Sequence, residues 1–135
     1  MADGCTSLGA ASRYWHMINS RDKGKRFELK MAKVWMRLFG GNVERTSYAS
    51  KKLDDMGVDL TDTDPFNIQC KAVESSMNYH QILERMPHST NINLVVHKRN
   101  HQPPVAALYL EDFLELLTAM KREGILCGTA ACLVA

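Results

Sequence analysis

Asp59, Gln69 and Lys71 are the residues whose types and spacing could do chemistry, and all lie in the stretch Gly57–Ala72, GVDLTDTDPFNIQCKA. A carboxylate and an amide oxygen are hard ligands suited to Mg²⁺, and an ammonium brings a cation beside the same point. The stretch reads as two short strands, 57–61 and 66–73, joined by the polar turn Asp62-Thr63-Asp64-Pro65. Strand side chains alternate between faces. Phe66, Ile68, Cys70 and Ala72 therefore share an apolar face, and Asn67, Gln69 and Lys71 share the other. Asp59 lies opposite Val58 and Leu60. If the two apolar sets share one core, Asp59, Gln69 and Lys71 converge on the far face. The same pattern also fits the solvated face of an ordinary hairpin.

Several elements must position these residues. Lys25–Phe39 reads as a helix with an apolar stripe of Phe27, Met31, Val34, Trp35 and Leu38, ended by Gly40-Gly41. Glu28 lies at the edge of that stripe in the first turn. It is either an acid favoured by the helix dipole or a carboxylate pointing from helix to sheet. Before it runs Ser20–Arg26, SRDKGKR, with four basic residues and one acid. Such a run beside a helix N-terminus suits phosphate, and it also suits plain solvation. Asn42–Ser47 reads as a strand and Tyr48–Asp55 as a polar loop carrying Lys51-Lys52. Ser75-Ser76 can cap a helix to about Arg85, with Met77 or Tyr79, Ile82, Leu83 and Met86 on its apolar face and Pro87 as its stop. Asn91–Lys98 is a strand whose centre, Leu94-Val95-Val96, is apolar on both faces. Val105–Leu110 is another strand, and Glu111–Glu123 a helix ended by Gly124. The expected class is α/β, a mixed central β-sheet flanked by helices.

Composition bounds the rest. The 135 residues suit one compact domain, here 21–124, between an N-terminal arm or short helix (1–20) and an apolar C-terminal tail (125–135). A net charge of +2 excludes a uniformly basic nucleic-acid coat. Cys5, Cys70, Cys127 and Cys132 show no CxxC spacing, which argues against zinc. The histidines, His16, His80, His88, His97 and His101, are scattered without metal spacing. No secretory signal and no membrane-length apolar run is visible, so a cytoplasmic protein with reduced thiols and no membrane partner is expected.

Lys25-Arg26-Phe27-Glu28, then Gly57-Val58-Asp59-Leu60, then Ile68-Gln69-Cys70-Lys71 together resemble the PD-(D/E)xK nuclease superfamily in its Gln-x-Lys variant. SRDKGKRFE is most similar to the N-terminus of archaeal-type Holliday junction resolvases, whose small homologues occur in phages. The resemblance spans about residues 20–117 and implies a restriction-endonuclease-like core. It implies Mg²⁺-dependent in-line hydrolysis of a phosphodiester, with Mn²⁺ as the alternative ion. Carried over position by position, Asp59 is the central metal ligand and Gln69 stands at the second acidic position. The Cys70 backbone carbonyl is an additional ligand. Lys71 orients or activates the attacking water and stabilises charge on the phosphate. Glu28 completes the site directly or through water.

The implied partners are branched DNA, as a four-way junction, and a second copy of the chain. Two symmetric incisions call for two sites, which a homodimer supplies. The apolar tail and the helix bearing Met77, Tyr79, Ile82 and Met86 are the candidate dimer surfaces. Lys23, Lys25, Arg26, Lys51, Lys52, Lys98 and Arg99 are candidate backbone contacts. One of Thr46, Ser47 and Ser50, with Ser47 among the DNA-binding candidates, matches the resolvase loop serine. Departures from the pattern keep two rivals open. Gln69 contributes no formal charge, and Gln-x-Lys also resembles Mrr-like restriction endonucleases. The rivals are a restriction-like or general nuclease and a catalytically silent DNA-binding protein of the same fold.

Overall fold

The computed structural model describes residues 8–126, with side chains from residue 20 onward. The apolar tail beyond Leu126, with Cys127 and Cys132, lies outside the described residues, as do Cys5 and the side chain of His16.

Helix α1, Leu8–Phe39, is one continuous element of 32 residues. It runs through the N-terminal segment expected as an arm or short helix (1–20) and across the expected boundary between residues 20 and 21. SRDKGKR therefore lies inside a helix rather than beside an N-terminus. Its Arg and Lys residues are good helix formers and Gly24 is a tolerable interruption. The helix ends where expected. Gly40 adopts φ +66, and its N–H bonds the Met36 carbonyl at 2.7 Å, a left-handed cap that favours glycine. The buried stripe is narrower than its periodicity suggests. Phe27, Met31 and Ala32 are buried and Trp35 packs against them, whereas Val34 and Leu38 face solvent.

The sheet has three strands in the order β1-β2-β3. β1, Phe66–Lys71, runs parallel to β2, Ile92–His97, and β2 pairs antiparallel with β3, Val105–Ala107. The mixed α/β reading holds at this level. Parallel neighbours need a crossover, which here contains helix α4, Tyr79–Arg85. α4 starts later than the serine pair suggested, because Asn78 is its cap and accepts from the Gln81 N–H at 3.2 Å. Pro87 follows its C-cap, Met86.

α1 covers one sheet face and α4 the other. Phe27, Met31 and Ala32 pack with Ile68, Cys70, Leu94 and Val96, joined by Phe66 and Ala72. Leu83 and Met86 pack with Val95, joined by Tyr79 and Ile82. Leu94, Val95 and Val96 are buried as their continuous apolar run implied. The α4 residues proposed as a dimer surface point inward instead. His97 is a satisfied core histidine. Its Nε2 lies 2.8 Å from the Val73 carbonyl, which can only accept, so Nδ1 accepts from the Tyr79 hydroxyl at 2.9 Å. Helix α5, Leu110–Arg122, ends before Gly124 at φ +73. It leaves Leu110, Phe113 and Leu114 exposed. Among the described residues, no helix is long and apolar enough to cross a membrane.

Residues 42–61 depart most from expectation. Asn42–Ser47 and Gly57–Thr61 are not strands; they share an isolated antiparallel bridge, Arg45 to Leu60. A short helix, α2 (Thr46–Ala49), begins inside the first of these segments, and a second, α3 (Lys51–Asp55), lies between the two. The physical reason lies in the backbone of Asp59. Its N–H bonds the Ile68 carbonyl at 2.8 Å, while its carbonyl accepts from Thr46 N–H at 2.9 Å. A regular ladder residue directs both groups to one neighbour. Asp59 divides them between two, and the expected hairpin ladder is broken there.

Candidate functional site

The same division places Asp59 at the free edge of β1. Carbonyls alternate along a strand, and the Lys71 carbonyl accepts from Lys98 N–H on the β2 side at 2.8 Å. The Cys70 N–H and carbonyl therefore face the opposite edge. There the Cys70 N–H donates to Asp59 Oδ2 at 2.7 Å. Asp59 thus meets the metal-ligand candidate at Cys70 across an edge rather than across a sheet face. An edge position is open to groups from either side of the sheet. Glu28 of α1 and Lys71 of β1 both lie close enough to act on the Asp59 charge, as does Asp54 of α3. Gln69 turns its amide against the backbone of Gly57, which has φ +78. A Cβ on Gly57 would meet Gln69 Oε1 at 3.4 Å, an ordinary contact, so it is the backbone conformation that favours glycine here.

Charge balance follows from these placements. Burial pushes the Asp59 carboxyl up to about 6; the Cys70 N–H opposes this, while Glu28 raises it further, Lys71 lowers it and Asp54 raises it. Burial likewise pushes the Cys70 thiol up, which leaves it an inert core group. Glu28 accepts from Arg45 Nε at 2.7 Å. Arg45 is buried, and its guanidinium lies 5.2 Å from the centroid of the Tyr48 ring.

Asp59 thus feels the charge of two other carboxylates, Glu28 and Asp54, and Glu28 is held by Arg45. Among the described residues, no three His, Cys, Asp or Glu side chains form a ready-made metal cluster. The donors are all oxygens: the Asp59 and Glu28 carboxylates, the Gln69 amide and the Cys70 carbonyl. That set fits Mg²⁺, which keeps several waters and takes one or two carboxylates.

Thr46 anchors the floor of the site. It is fully buried, and its hydroxyl donates to the Val58 carbonyl at 2.6 Å, with Asp54 Oδ1 3.3 Å away. Ser47 is exposed, while Ser50 caps α3 by accepting from Leu53 N–H at 3.5 Å. Thr46→Val keeps the shape but leaves the Val58 carbonyl without its donor. It is expected to lower stability by about 1–3 kcal/mol, read as a shift of the urea midpoint with unchanged slope.

The candidate phosphate contacts separate into groups. Lys23 and Arg26 of α1 and Lys98 after β2 line one cleft of 270 Å³, together with Lys30. Lys23 is paired with Glu74, whose carboxylate also accepts from Asn100 N–H at 2.8 Å and is held below its ordinary range, first by Lys23. Lys25, Ser47, Lys51, Lys52 and Arg99 do not line that cleft. Sequence reasoning passed over Lys30, Arg45, Tyr48 and Asp54. Lys30 was findable, since it lies four residues after Arg26 and seven after Lys23, on one helical stripe. Arg45 carried no local signal, because its partner is 17 residues away. No protein-family model, curated protein or solved structure matches the chain.

Proposed function

We propose that the chain is a Mg²⁺-dependent, structure-selective DNA endonuclease of the PD-(D/E)xK type, acting as a homodimer on four-way junctions. The observation that carries this reading is the anchoring of the Asp59 carboxylate on the Cys70 N–H at the outer edge of β1, within electrostatic reach of Glu28 and Lys71. In this reading β1, β2 and α1 belong to a restriction-endonuclease-like core. Asp59, with the Gln69 amide and the Cys70 carbonyl, would hold the ion, and Glu28 would contribute directly or through water. When bound, Mg²⁺ supplies Lewis acidity and a lowered pKa for bound water. Lys71 holds the attacking water and stabilises negative charge building on the phosphate. Arg45 holds Glu28 in place through its Nε at 2.7 Å. The cleft of Lys23, Arg26, Lys30 and Lys98 supports backbone contacts beside the reacting edge. The exposed Leu110, Phe113 and Leu114 on α5 support a second copy as partner.

A silent DNA-binding protein is the second reading. It is favoured by the ion pair that already occupies Glu28 and by the missing charge at Gln69. The deciding experiment is incubation of an immobile four-way junction, a linear duplex and a flap of the same sequence, each with Mg²⁺ and with EDTA. Paired symmetric nicks on the junction alone, absent with EDTA, are expected. Equal cutting of duplex moves the assignment to a restriction-like or general nuclease. Binding without any cutting favours the silent fold.

A further inference from the structure

Tyr48 stands out on the side of the site away from the basic cleft. The residue is 79% exposed, yet its ring is not without a partner. The Arg45 guanidinium lies over it, and Arg45 is itself fixed by Glu28 at 2.7 Å. A ring backed by a pinned cation is a pre-set stacking platform. Beside it opens a groove of 370 Å³ whose walls include Leu29 and Met36 of α1 and Val43. Lys33 and Glu44 are its other charged residues besides Arg45. Leu29 and Met36 are both exposed large apolar residues, so this flank of α1 presents an apolar surface that a polar strand backbone does not explain. Lys23, Arg26 and Lys30 occupy the other flank of the helix. The Glu28 edge lies between the two.

We propose that this groove binds a single unstacked nucleobase of the DNA, laid on the Tyr48 ring next to the phosphate being cut. This rests on the nuclease reading and adds the element that reads branched rather than continuous DNA. Three features commit the groove to a nucleobase. It is continuous with the candidate active edge through Arg45, which lines the groove and holds Glu28. Its walls are apolar and aromatic, and the volume falls in the range of small-molecule sites. Lys33 supplies a cation for the phosphate attached to the displaced base. Stacking on an exposed aromatic ring is indifferent to base identity, because every base has a π-face. Unstacking a base costs energy within an intact duplex and costs least where pairing is already interrupted, and in this proposal the branch point is such a place. The platform therefore discriminates by DNA structure and not by sequence.

The test compares wild type, Tyr48→Ala and Tyr48→Trp for binding to a junction and to a linear duplex, with Ca²⁺ replacing Mg²⁺ to hold cleavage off. Tyr48→Ala is expected to weaken junction binding roughly 5- to 150-fold, with little change on duplex, and Tyr48→Trp to retain it. Junctions carrying 5-iodouracil beside the branch point, irradiated in the complex, are expected to crosslink to the peptide containing Tyr48. The proposal is overturned if Tyr48→Ala binds the junction like wild type, or loses junction and duplex equally. It is also overturned if Met36→Glu turns a wild-type dimer into a monomer, since the groove is then an interface between copies. Wild type that binds no DNA removes the nuclease reading along with it. Junction cleavage that is normal in wild type and unaffected by Tyr48→Ala removes this inference alone.

Discussion

Asp59→Asn is expected to lower the rate of junction cleavage by about 10³-fold or more while leaving junction binding nearly intact. The expectation follows from the placement of the carboxylate. An amide at this position can still accept from the Cys70 N–H at the edge of β1, so the local backbone keeps its anchor. The formal charge that would hold a divalent ion is lost. Metal assistance is worth several kcal/mol of transition-state stabilisation, and each 1.36 kcal/mol is tenfold in rate. Lys71→Met is expected to cost roughly 10²- to 10³-fold, the scale of losing one preorganised electrostatic group. Single-turnover cleavage and anisotropy binding on the same junction separate the chemical step from affinity. Unchanged cleavage by Asp59→Asn would falsify the assignment of the metal site to this edge.

The same substitution is expected to stabilise the metal-free protein at neutral and alkaline pH. In the folded state the Asp59 carboxyl is raised from 3.8 to about 6, chiefly by burial. Between those values the folded protein keeps a proton that the unfolded chain has released. Stability therefore falls as pH rises through that window. The total is about 3 kcal/mol, an order-of-magnitude figure from the size of the shift. Asp59→Asn removes the titration, so its advantage over wild type grows from pH 4 to pH 7 and then levels off. Urea unfolding in EDTA at pH 4, 6 and 8 measures it. Mg²⁺ binding to the folded state is expected to recover the difference in wild type at pH 8 and not in the variant. A stability gap that is equal at all three pH values would show that Asp59 does not titrate in this way. A site that destabilises its own fold when empty is a common companion of function.

The candidate site was legible in part, and the reason is local periodicity. Asp59 was found because it sits between buried Val58 and Leu60, and Lys71 because Ile68 and Cys70 are buried while Gln69 and Lys71 are less so, although Asn67, expected with them, is buried as well. Glu28 was found because Phe27 and Met31 mark the buried stripe of α1. Arg45 and Asp54 were missed because the bonds around them join distant segments. Thr46 N–H reaches Asp59, Thr61 N–H reaches Glu44, and Asp59 N–H reaches Ile68. None of these leaves a periodic trace, so residues 42–61 looked like ordinary strand and loop. The edge geometry of Asp59 was invisible for the same reason. Alternation predicts faces and does not say where a strand breaks.

Some features needed nothing beyond the residues in order. The glycine stop at Gly40, the fully apolar β2 centre and the Gly124 end of α5 are each set by nearest neighbours along the chain. Backbone conformation and side-chain period are local properties, so a linear reading can reach them. Tertiary structure alone decided three others. It brought Lys98 into the same cleft as Lys23, Arg26 and Lys30. It paired Glu28 with Arg45 and stood Tyr48 beside that pair. It also turned Asp59 to the edge of β1 by sharing its backbone between Thr46 and Ile68. Each of these depends on which surfaces meet when the helices close on the sheet. That choice is made by burying the whole core at once, and no single segment carries it.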